Sequence, residues 1–145
     1  MAVLTRLHDR IEYEGIYCTM TVQQLSDDVV VVRIEGTDIG EFGERPLRMM
    51  DRVIATTGDR PLSLFIDARA VRGASLTASS AWGVWLTMHS SSLRRVHMLA
   101  RSTFVMVTAN FVRRFAKLED KMAILSRDED FDLALGQALR SPATA

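Results

Sequence analysis

The sequence predicts an α/β fold: a mixed sheet of about five strands, with an N-terminal antiparallel hairpin and about four helices packed on it. Three observations carry this reading. Ile16 to Gln23 alternates with a period of two, and Val29 to Glu35 follows after a short turn. Beyond residue 45, stretches with helical apolar spacing alternate with short apolar runs. The chain has 145 residues, 48% hydrophobic and 25% charged, which suits one folded domain with a sizeable core.

Each element has its own signal. In the first strand Ile16, Cys18, Met20 and Val22 share one face. Ser26-Asp27-Asp28 is turn chemistry. The run Val29-Val30-Val31-Val32 then implies a strand buried on both faces, antiparallel to the first. Gly36 to Gly43 breaks the pattern. A helix follows with Pro46 in its first turn and Leu47, Met50, Val53 and Ile54 on one face. Leu62 to Asp67 is the third strand. The strand–helix–strand order favours parallel pairing with a right-handed crossover. Asp67 is followed by a small-residue loop with hydroxyls at Ser75, Thr77, Ser79 and Ser80, then by a helix from Leu76 to Ser90. Arg94 to Ala100 is the fourth strand. The helix over Ser102–Leu118 is expected to turn Phe104, Thr108, Phe111, Val112 and Phe115 inward, with a late start because TFVMVT is β-rich. Lys121 to Leu125 is the fifth strand. Ser126 and Glu129 have the spacing of a capping box before a last helix with Phe131, Ala134, Leu135, Ala138 and Leu139 inward. The organisation expected is an N-terminal extension over 1–15, one domain over 16–140 and a frayed tail over 141–145. The extension could add a strand or short helix along a sheet edge.

Composition narrows the function. Lys plus Arg and Asp plus Glu are each 18, so the basic excess of a duplex-binding protein is missing and no nucleic-acid partner is expected. No apolar run reaches the roughly 18 residues of a membrane span. Arg6, His8, Asp9 and Arg10 interrupt any signal-peptide core. The single cysteine, Cys18, fits a reducing compartment, so a cytoplasmic location is expected. His8, His89 and His97 lack metal-ligand spacing, and neither a metal nor a cofactor is expected. Ser75, His89 or His97, and Asp67 are the residues from which a Ser-His-Asp group could be drawn, but there is no G-x-S-x-G elbow. No catalytic residue is assigned.

Two features remain for binding. The hydroxyls of Ser75, Thr77, Ser79 and Ser80 either cap a helix or accept a phosphate at its positive end. Trp82, Trp85 and His89 share a helical face and are either core or a partner interface. Arg94-Arg95 and Arg113-Arg114 are basic pairs with the character of solvated surface.

The order ββαβαβαβα, with LFIDARAV as a central strand and the segment after it, resembles the STAS domain of sulfate-transporter tails and bacterial anti-sigma factor antagonists. The resemblance covers about Ile16 to Leu139. The family carries Asp-Ser-Ser-Gly or Asp-Ser-Thr-Gly at the helix start. Here the four positions are Ser75, Leu76, Thr77 and Ala78, so only the hydroxyl of Thr77 is kept. The resemblance implies a non-enzymatic signalling module that binds another protein, kinase or regulator-like, with Thr77, Ser75, Ser79 or Ser80 as the candidate phosphoacceptor. The related lipid-binding CRAL-TRIO type shares features of this architecture, which leaves a small apolar ligand open. A homodimer is a further alternative.

Overall fold

The structure is a computed structural model that describes residues 3–7, 10–58 and 60–140; the tail expected at 141–145 lies outside these. Seven strands form one sheet in strictly sequential order. They are β1 (Val3–Leu7), β2 (Arg10–Glu14), β3 (Cys18–Ser26), β4 (Val29–Asp38), β5 (Leu62–Ala74), β6 (Leu93–Ala100) and β7 (Met122–Leu125). The helices are α1 (Arg45–Thr56), α2 (Leu76–His89), α3 (Thr103–Phe115) and α4 (Asp128–Arg140), with one 3₁₀ turn at Ser90–Ser92. The first four strands pair antiparallel and the last four parallel.

The sheet has seven strands where about five were expected. The two additional strands come from residues 3–14, which add an antiparallel hairpin to the edge at β3. The first expected strand also begins later. Ile16 and Tyr17 form an exposed turn, and the buried alternation starts at Cys18.

Handedness explains the layers. Three right-handed crossovers stepping the same way along the sheet must all lie on one face. α1, α2 and α3 do so, packing on Val30, Val32, Leu64, Ile66 and Val96. α4 follows the last strand and covers the opposite face, where Phe131 sits edge-on to Phe65 with ring centroids 5.7 Å apart. The valine run of β4 is fully buried because it supplies both layers. No helix among the described residues is long and apolar enough to cross a membrane.

β5 departs most from expectation. Residues 68–74, expected as a loop, continue the strand beside the far end of β4, past register shifts at Arg33/Glu35 and Gly36/Thr37. Asp67 is buried within this strand, where it accepts from the Arg69 side chain at 2.9 Å and lies 3.7 Å from Arg33. α4 also differs: it begins at Asp128, so Ser126 lies one residue outside the cap position, and Leu139 is exposed.

Cys18 is buried against β4. Burial, reinforced by the Asp38, Glu41 and Glu35 carboxylates, pushes its thiol from 9.0 up to about 12. The folded state therefore keeps a proton that the unfolded chain releases. This contribution to stability is complete below pH 9 and is lost as pH rises through the window from about 9 to about 12. The native protein is expected to resist iodoacetamide at pH 8, whereas the urea-unfolded chain is alkylated once; equal rates would refute the burial account.

Candidate functional site

The candidate site lies where β4 and β5 end and α2 begins, the carboxyl edge of the parallel strands. Ser75 has the extended backbone of an N-cap, and its Oγ accepts the Ala78 N–H at 3.1 Å. Its own N–H donates to the Asp38 carbonyl at 2.8 Å, fixing α2 to the end of β4. Thr77 stands exposed in the first turn, Ser79 is half-buried and Ser80 is exposed. Ser75 is thus the cap, Thr77 stands open in the first turn, and Ser79 and Ser80 border a groove.

The aromatic face of α2 divides in the same way. Trp85 is 5% exposed, and its indole N–H donates to Asp51 of α1 at 2.8 Å. His89 Nε2 lies 3.0 Å from the same carboxylate, with its ring against that of Trp85. Both residues therefore join α2 to α1, Trp85 from the core and His89 from its partly exposed margin. Trp82 is half-buried and borders two recesses.

The residues available for a Ser-His-Asp group are held apart. Ser75 and His89 close opposite ends of α2, roughly 20 Å apart at helical rise. His97 stacks flat on Phe65 with ring centroids 4.8 Å apart, on the α4 side of the sheet. Burial lowers its pKa, and Arg95 adds to the effect. Asp67 is engaged by Arg69. Among the described residues, no group of three or more His, Cys, Asp or Glu could hold a metal ion.

The surface that sequence reasoning missed is on α3. The helix starts at Thr103 without delay and buries Val105, Ala109 and Val112. Phe104, Phe111 and Phe115, all three expected in the inward stripe, are instead exposed, and so is Val107. They form one wall of a groove whose other wall is Leu76 and Val84 of α2, with a volume of about 550 Å³. Gly83 lets the walls approach: a Cβ there would lie 3.4 Å from the Phe115 ring. The available signal was a second apolar stripe at helical spacing, one turn-face away from the first.

The groove adjoins a second, smaller recess. Ala74, Ser79, Phe104, Thr108 and Val112 line the groove and also line this recess, a cavity of about 80 Å³ between the helices and the sheet. Asp38, 7% exposed, borders this cavity. Burial raises its pKa, while the Gly40 N–H, at 3.0 Å, and the Trp82 side chain act against the rise and Glu41 adds to it.

No protein-family model matches the chain, and no curated protein matches it either. Solved structures do. An uncharacterized DUF3478-family protein with a SpoIIAA-like fold from Shewanella loihica is 14% identical over 84% of this chain and 97% of its own, with a TM-score of 0.62. The anti-sigma factor antagonist SpoIIAA in its unphosphorylated form is 17% identical over 81% of this chain and 96% of its own, with a TM-score of 0.55. The chain therefore has a SpoIIAA-like fold, a mixed sheet with four helices.

Proposed function

We propose that this chain is a non-enzymatic regulatory module that binds another protein through the exposed face of α2 and α3. The observation that carries the reading is the continuous apolar surface of Leu76, Val84, Phe104, Val107, Phe111 and Phe115, beside the open hydroxyl of Thr77. Contiguous exposed apolar area of this kind marks interaction sites. The fold likeness to an anti-sigma factor antagonist supports a signalling role. A phosphate on Thr77 would sit beside the free N–H groups of the first turn of α2 and alter the partner's surface. Of the four hydroxyl residues, Thr77 and Ser80 are the accessible acceptors, and Trp82 is the aromatic residue nearest to an interface role.

The test is cross-linking in the native cell with wild type, Phe111→Asp and Thr77→Glu, together with phosphosite mapping. A partner held by wild type and lost by at least tenfold in Phe111→Asp is the expected result. Identical capture by all three proteins would refute the reading. Light scattering of the same samples shows whether the partner is a second copy.

A second reading, a small apolar ligand, is favoured by one specific observation: the groove adjoins a smaller, almost wholly apolar recess between the helices and the sheet, and five residues line both.

A further inference from the structure

The exposed face of α2 and α3 is short of charge as well as apolar. A quarter of the chain is charged, yet α2 carries no Asp, Glu, Lys or Arg along its 14 residues, and α3 carries none from Thr103 to Val112. Arg113, the first cation of α3, is held by Asn110 at 2.8 Å and by the Met122 carbonyl of β7 at 3.4 Å. Arg114 and Lys117 are exposed at and just past the end of the helix, and Glu119 and Asp120, also exposed, follow them in the chain. The exposed polar side chains of α2 are all hydroxyls, at Thr77, Ser80 and Thr87. Met88, one turn beyond Val84, extends the six apolar side chains of this face and is 71% exposed. All seven are at least half exposed. Together they leave on the order of 800 Å² of apolar surface open. The largest patch on a typical monomer is roughly 300–600 Å². One partner's share of a stable interface is about 800 Å².

Charge decides among the occupants. An anionic bilayer is drawn by cations around an apolar face, and an unlike protein is selected by charges of opposite sign. Neither helix supplies such charges along this face. A twofold contact has the reverse requirement. A charge near the axis would meet its own like, whereas a hydroxyl both donates and accepts and can pair with its own counterpart. Interfaces between identical chains are accordingly the more apolar kind, rich in aromatic side chains and depleted of charge at their centre. Resting on the protein-docking reading above, we infer that the partner is a second copy of this chain, and that the two copies meet through α2 and α3 across a twofold axis. Phe104, Phe111 and Phe115 supply the aromatic part of the contact, and the cations at the end of α3 fall on its rim.

The experiment measures the mass of the whole purified protein by sedimentation equilibrium from about 1 to about 100 μM, where an interface of this area associates. Wild type is expected to be a dimer over the upper part of that range. Phe111→Asp and Val84→Asp, one on each helix and both at exposed positions, should weaken association at least tenfold. Leu133→Asp, at a similarly exposed position on α4 across the sheet, should change it less than twofold. Phe111→Ser and Val84→Ser replace either variant that fails to fold and should weaken association at least threefold. Wild type that stays monomeric throughout overturns the second copy. The docking reading then stands if cross-linking in the native cell captures an unlike protein that Phe111→Asp loses, and falls as well if nothing is captured. A monomer that sediments with vesicles of phosphatidylcholine and phosphatidylglycerol gives the face to a bilayer and overturns both. A wild-type dimer left intact by the α2 and α3 variants overturns the assignment of the face.

Discussion

Trp85→Ala is expected to destabilise the protein by about 3–5 kcal/mol in urea denaturation, the range for removing a large buried aromatic side chain. Trp85 is almost fully buried and packs among residues of the sheet and its helical layer. Its indole N–H and the imidazole of His89 converge on Asp51, at 2.8 and 3.0 Å, so the substitution also takes one hydrogen bond from the junction of α1 and α2. Trp85→Phe separates the two contributions: it keeps most of the packing and loses only the hydrogen bond, for an expected cost of about 1–2 kcal/mol. Trp82→Ala, at a half-buried position, should cost less than Trp85→Ala and act mainly on binding. A Trp85→Ala loss under about 1 kcal/mol would refute its role in joining the helices.

Gly36→Ala is the second large effect. Gly36 has φ of 92°, a backbone conformation that costs a residue with a side chain about 1–2 kcal/mol. A Cβ there would also lie 2.3 Å from the Tyr17 carbonyl oxygen, which is backbone and cannot swing away. That oxygen accepts the Thr37 N–H at 2.9 Å, so relieving the clash breaks the link between the turn before β3 and the far end of β4. The total expected loss is at least about 2 kcal/mol by thermal or chemical denaturation. Gly40→Ala is the control. Its φ is 80°, but no atom lies within 4 Å of the new Cβ, so only the backbone contribution remains. Equal losses for the two variants would show that the clash is relieved at no cost.

Much of the fold is legible in the sequence because burial leaves a period. Cys18, Met20 and Val22 alternate as a strand with one covered face must, and the four valines of β4 read as a strand covered on both. The helix starts at Pro46 and Ser75 are legible from backbone chemistry. Two kinds of feature are not. β2 and residues 68–74 are short or overhanging stretches in which charged or small residues outnumber the buried ones: Ile11 and Tyr13 alternate with Arg10, Glu12 and Glu14, and Val71 stands among Arg69, Ala70, Arg72 and Gly73, so each pattern is too brief to mark a strand on its own. The orientation of α3 is hidden for the opposite reason. It is apolar on two faces, so periodicity offers two inward stripes and only the sheet selects Val105, Ala109 and Val112. The candidate site follows this division. Its hydroxyl-bearing helix start is visible in the chain, while the groove, the cavity and the exposure of Phe111 exist only once α2 and α3 lie side by side.

The sequential order of the sheet bears on how the chain acquires its shape during synthesis. Every strand neighbours the one made just before it, so no strand must wait for a later segment or wedge between two that have already joined. The antiparallel half closes through short connections, and each later strand arrives with its crossover helix onto an edge already in place. A nascent chain emerging from the ribosome can therefore zip the sheet up in the order of translation, leaving a single growing edge open at any moment.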